Sequence, residues 1–152
     1  MKRNYFIPFV FVTGLFVSCN NSQKNMDPLQ VKADSLEKEV MAGHNVAMPK
    51  SMKIPKLQKE IGQTIDSINK LPAREQRANA PYKIKLESLN KDLSAADSVM
   101  QKWMLEYVPD TFSNNAEQRI KYLSNEKIKI DKVKNVVLSS LQKADSLLKK
   151  GH

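Results

Sequence analysis

Three methionines and one of the chain's two histidines fall within twelve residues, in the stretch VMAGHNVAMPKSM that runs from Val40 to Met52. Thioether sulfur and imidazole nitrogen are soft to borderline donors, and together they suit Cu(I) and, by the same softness, Ag(I). A second group, Met100, Trp103 and Met104, holds the only tryptophan, whose indole face can add a cation–π contact. Outside the cytoplasm, methionine ligands also avoid the disulfide chemistry that compromises cysteine. Zinc, calcium and magnesium are disfavoured, because the cluster offers one histidine and no converging carboxylates. The same residue types have a plainer use, since methionine fills irregular core gaps and packs well on aromatic rings.

Whether these groups meet depends on the helices that carry them. At 100° per residue, with Met41 at zero, His44 lies near −60°, Met48 near −20° and Met52 near +20°. The four share one stripe if the helix runs through Pro49, and that stripe flanks the aliphatic seam. If residue 70 or 71 faces residue 81 or 82 across the first turn, opposed positions on the two antiparallel helices have a constant sum of about 152. Met48 then faces Met104 and Met52 faces Met100, to within about one turn. The candidate metal set is therefore Met41, His44, Met48, Met52, Met100, Trp103 and Met104.

The periodicity behind this is helical throughout. Asp27-Pro28 opens a helix with an N-cap and a proline at the first position. Leu29, Leu36, Val40, Ala47, Ile54, Ile61, Ile65 and Ile68 follow at spacings of 3, 4 or 7. The spacing predicts helices over about 28–70, kinked at Pro49 and Pro55, over 81–107, and over 115–150. Residues 71–80 are expected as the first connection, and Asn114 with Glu117 as an approximate capping box for the last helix. Ala-Asp-Ser-Leu/Val recurs at Ala33, Ala96 and Ala144, once per helix, at unequal intervals that indicate heptad bias rather than a repeat. The fold class is all-α, an elongated antiparallel three-helix bundle or coiled-coil hairpin.

The N-terminus fixes an expectation of address. Lys2 and Arg3 precede an apolar run from Tyr5 to Val17, too short to span a bilayer but suited to a signal peptide. The run ends at Leu-Phe-Val-Ser-Cys, and Cys19 is the only cysteine. This resembles a bacterial lipoprotein signal, with Ser18 in the small position and Phe16 where leucine is usual. Residues 1–18 then form the signal peptide, 19–26 an acylated cysteine and tether, and 27–152 the helical domain. Removing Lys2 and Arg3 from the 25 Lys and Arg leaves 23 against 16 Asp and Glu, about +7. Export makes nucleic acid an unsuitable partner, and anionic headgroups or another envelope component are the natural counter-surfaces. Asn20 is not the aspartate associated with inner-membrane retention, which favours the outer membrane.

The block M-A-G-H-N-x-A-M-P-K, followed by A-D-S-V-M-Q-K-W-M, resembles a family of small uncharacterised helical bacterial lipoproteins, sometimes labelled "viral A-type inclusion protein". That resemblance covers most of the mature chain and implies export and helix, with no established activity. Aspartate often follows the histidine in that family, whereas Asn45 stands here. The sequence pairs no nucleophile with a base and has no glycine-rich phosphate loop, so no catalytic residue is assigned and no enzyme activity is expected. Two functions remain: a soft-metal-binding bundle, or a structural or interaction module with the methionines as packing.

The address has a direct test. Cys19→Ala should abolish fatty-acid labelling and leave the protein unprocessed or released from membranes. A mature N-terminus found elsewhere by mass spectrometry would refute lipidation at Cys19.

Overall fold

A computed structural model describes residues 27–149; the signal segment, Cys19 and residues up to 26 lie outside the described residues. Four helices follow one another: α1 (Pro28–Ser51), α2 (Ile54–Asn69), α3 (Ala73–Glu106) and α4 (Ala116–Leu148). No strand occurs among the described residues, and no described helix is long and apolar enough to cross a membrane. The architecture is an all-α bundle of three rods, with α1 and α2 forming the first.

The first rod shows what its prolines do. Asp27 caps α1, its carboxylate accepting the Leu29 N–H at 3.0 Å, and Pro28 occupies the first turn. Pro49 stays inside α1 on the exposed side, so the helix does not stop there. The break falls instead at Met52–Lys53, ahead of Pro55, which sits in the first turn of α2, where a missing N–H costs least. Both break residues keep right-handed helical dihedrals, and the Met52 N–H still reaches the Met48 carbonyl at 3.2 Å. Seam phase therefore survives the interruption. Ala33, Val40, Ala47, Ile54, Ile61 and Ile68 recur at seven-residue intervals straight across it, and all six are buried.

The expected connection over 71–80 is shorter than its proline suggests. Helix α3 begins at Ala73, and Pro81 lies within it rather than at its start. Ala-Arg-Glu-Gln-Arg-Ala-Asn-Ala is a run of good helix formers. Gln76 also closes the turn, its Nε2 donating to the Asn69 carbonyl at 2.9 Å and the Leu71 carbonyl at 2.7 Å. The carbonyl that Pro81 leaves unbonded belongs to the exposed Arg77, where water can satisfy it. At the last helix the cap is Asn115, whose side chain accepts the Gln118 N–H at 3.0 Å, one residue later than the Asn114 expected.

Side chains from different rods fix the register. Gln58 bonds Ser94 and Lys83 bonds Asn69, both at 2.7 Å and both on the expected sum of 152. Helix α4 runs antiparallel to α3, with Lys143 on Asp92 at 2.7 Å and the Tyr122 hydroxyl accepting the Val108 N–H at 2.9 Å. It runs parallel to α1, with Arg119 on Glu37 at 2.8 Å and Lys127 near Glu39 at 3.8 Å. Leu86, Leu89, Leu93, Ala96, Met100 and Trp103 form the seam of α3, and Leu123, Ile130, Val133, Val137 and Ala144 that of α4. The alanines of the recurring Ala-Asp-Ser motif are all seam residues.

One close approach constrains α1 against α4. A Cβ built on Gly43 would lie 3.1 Å from Ile130 Cγ2 and 3.2 Å from its Cγ1, whereas one on Gly62 would meet nothing within 4 Å. Gly43→Leu should lower stability by about 1–3 kcal/mol through overpacking. Gly62→Ala should raise it by about 1 kcal/mol through helix propensity alone. Urea melts of the two variants should move in opposite directions; a shared sign would contradict this packing.

Candidate metal site and aromatic column

Helix α1 brings His44 to Trp103 of α3, with ring centroids 5.6 Å apart and planes tilted by 34°. His44 is half-buried, and its Nδ1 lies 3.1 Å from Asn45 Oδ1. In the Nδ1–H tautomer the ring donates to that amide oxygen, and Nε2 is then the nitrogen with a free lone pair. Asn45 thus orients the ring as a carboxylate at that position would.

The methionines divide. Met48 and Met104 are half-buried and pack against the core. The Met48 sulfur lies 3.7 Å from the Ser51 hydroxyl, which donates mainly to the Met48 carbonyl at 2.9 Å. Met41 is half-buried one heptad before Met48. Met100 is 0% exposed and belongs to the α3 seam. Met52, in the break, is 70% exposed and turns away, so the expected Met52–Met100 pairing does not form. The seam keeps its phase through the break, and at 100° per residue Met52 lies about 140–160° from Ala47 and Ile54, on the side of the rod away from the core. Among the described residues no group of three or more His, Cys, Asp or Glu side chains is placed to hold a metal ion.

Trp103 is pinned from the other side by residues that the sequence analysis did not single out. Its indole Nε1–H donates to Glu126 Oε2 at 3.0 Å, and Lys129 Nζ donates to Glu126 Oε1 at 2.7 Å. Glu126 is only 3% exposed. Burying a carboxylate is costly unless it is paired, and here each oxygen has a donor. The spacing 119, 123, 126, 130, 133, 137, 140 and 144 is a strict heptad alternation, so Arg119, Glu126 and Ser140 stand where apolar residues are expected. That misplacement was the available clue.

From the indole an aromatic column runs to the end of the bundle. Tyr107 stacks on Trp103 at 4.9 Å, Tyr122 lies 6.3 Å beyond, and Phe112 meets Tyr122 edge-on at 6.4 Å. Arg119 closes this end, donating to the Pro109 carbonyl at 2.8 Å, to the Thr111 carbonyl at 3.3 Å and to Glu37. The Tyr107 hydroxyl is buried and has no hydrogen-bond partner among the described residues. Its pKa is raised, first by burial and then by the nearby Glu37 carboxylate.

No family model matches the chain, and neither a curated protein nor a solved structure matches it.

The Tyr107 phenol offers a test of the column. A raised pKa means that the folded state holds this proton where the unfolded chain, with a pKa near 10, has lost it. The neutral phenol therefore contributes full stability below pH 10 and loses it as pH rises through the folded pKa. Tyr107→Phe removes a partnerless polar atom, so at pH 7 the variant should match wild type or exceed it by about 1 kcal/mol. Above pH 10 the difference should widen in favour of the variant. A large loss of stability at pH 7 in urea melts would mean that the hydroxyl has a partner.

Proposed function

We propose that this is a non-catalytic, lipid-anchored protein of the cell envelope, attached through Cys19, whose bundle holds one Cu(I) or Ag(I) ion. The ligands are His44 Nε2 and the sulfurs of Met48 and Met104, with the Trp103 indole beside them. The observation that carries this reading is the His44–Trp103 pair, formed from separate helices, with Met48 one turn on from His44, Met104 next to Trp103, and both methionines partly buried against the core. Three supporting features make the site adjustable. His44 and both methionines flank the seam rather than fill it, so their side chains can turn without opening the core. The indole, by contrast, is held by Glu126 and cannot follow. Met41 stands one heptad away on the same flank as a reserve thioether. Soft donors without a carboxylate favour a monovalent soft ion over Zn²⁺ or Ca²⁺.

A second reading has its own observation. Met100 is wholly buried in the seam, where it acts as packing, and the same role extended to Met48 and Met104 leaves a helical interaction module docking on an envelope component.

Anaerobic titration separates the two, because Trp103 is the only tryptophan. Under the first reading Ag(I) or Cu(I) changes Trp103 emission and saturates at one ion per chain, while Zn²⁺ does little. His44→Ala should weaken binding, and Met48→Leu with Met104→Leu should nearly abolish it. Met52→Leu should leave it unchanged. Leucine roughly conserves methionine volume, so packing alone predicts a cost below about 1.5 kcal/mol each and no metal response. Flat emission with no ion retained against a competing chelator would establish the second reading.

A further inference from the structure

Apolar side chains gather in the open at one end of the bundle. The last turn of α3 carries Leu105, 86% exposed, and the α3–α4 connection carries Val108, 54% exposed, and Phe112, 49% exposed. Phe112 adopts φ 58°, the only positive-φ residue other than glycine among those described. A bulky residue seldom takes that conformation, which is strained. Here it carries the loop between two helices while leaving half of an aromatic ring in the open.

The start of α1 lies at the same end. Arg119 binds Glu37 of α1 and also the carbonyls of Pro109 and Thr111, so Glu37 stands level with that loop. Leu29 and Val31, also exposed, occupy the helical turns between Glu37 and the N-terminal end of the rod. The α2–α3 turn lies at the opposite end, about 60 Å away at 1.5 Å per residue along the first rod.

We propose that this end of the bundle contacts the lipid bilayer, with the rod tilted so that Phe112 and Val108 enter the headgroup–acyl boundary together with Leu29 and Val31, which lie about 9–12 Å nearer the end of the rod than Glu37. The inference rests on the anchoring of Cys19 and goes beyond it. Cys19 and Asp27 are eight peptide steps apart, a reach of at most about 29 Å. An anchor at Cys19 therefore holds the Asp27 end near the bilayer, and the apolar residues at that end are the ones that meet it. Lys32 and Lys121 stand there among Asp27, Asp34, Asp110 and Glu117, so the end carries no excess of cations and the contact rests on apolar insertion rather than attraction to anionic lipid. Aromatic side chains favour this boundary layer. Its consequence is orientation: the rod stands off the membrane and carries its α2–α3 turn outward.

The test uses the full lipidated chain in phosphatidylethanolamine–phosphatidylglycerol vesicles. Once Cys19 is acylated no free thiol remains, so one introduced cysteine can carry an environment-sensitive fluorophore. Labels at Phe112→Cys and, separately, Val108→Cys should shift to shorter wavelength and be quenched by nitroxide lipids. A label at Ala73→Cys, at the α2–α3 turn, should do neither, and circular dichroism should show all three variants folded. Chain that floats with vesicles while the 108 and 112 labels behave like the 73 label overturns the contact and leaves the anchor standing. Chain that does not float overturns both. Raising vesicle ionic strength should leave the 112 signal unchanged; its loss in salt would replace insertion with charge attraction.

Discussion

The structure depends on one constraint, the seven-residue spacing that runs without a phase change from Ala33 to Ile68. A straight helix drifts about 20° per heptad from such a spacing, so three rods that keep it must wind gently about each other. The break at Met52–Lys53 is tolerated because both residues keep helical dihedrals and Val40, Ala47, Ile54 and Ile61 remain on one line across it. Insertion of a single residue there would turn everything beyond by 100° and expose Ile54, Ile61 and Ile68. Gly43 serves the same seam from the α4 side, since only a residue without a side chain leaves Ile130 its place.

An apolar seam of this length says little about which heptad faces which, because a slip of seven residues restores much of the burial. Polar seam residues remove that freedom. Glu126 keeps Lys129 of its own helix in any register but meets the Trp103 indole only in this one, and Arg119 is satisfied only where Glu37 and two loop carbonyls converge. Ser140 marks a third level, reaching the Asp92 carbonyl at 3.4 Å. A one-heptad slip of α4 would part Glu126 from the Trp103 indole and Arg119 from Glu37, at about 1.5–3 kcal/mol for each hydrogen bond to a charged group, and would leave the buried Glu126 with Lys129 as its one remaining donor. Asp131 adds a surface tie, its carboxyl held below the usual range first by the hydrogen bond from Lys127, which also reaches toward Glu39 of α1.

The sequence was informative wherever periodicity and register were enough. The helical class, the first-rod seam and the constant sum that pairs Gln58 with Ser94 all follow from spacing. It misled at Pro81, because a proline that opens helices in general can also sit in one when its orphaned carbonyl is exposed. It was incomplete on α4, where the apolar residues alone do not reveal the alternate seam positions filled by Arg119, Glu126 and Ser140. Angular arithmetic placed Met52 on the same stripe as Met41, His44 and Met48, but at the edge of that stripe farthest from the seam, and with the seam's phase unbroken that edge faces solvent.

The position of the candidate site follows from the same seam. A residue inside the seam must fill one volume in one rotamer, and Met100 does so. His44, Met48 and Met104 flank it, where a side chain can change rotamer at little cost while its backbone stays fixed. Trp103 has the opposite character: it lies in the seam, is held by a charged hydrogen bond and is stacked by Tyr107. A rigid indole beside three adjustable soft donors is a preorganised wall facing a compliant one. Under the proposed metal-binding function the bundle does not have to unfold for an ion to enter; the reading asks only for rotation of three flanking side chains.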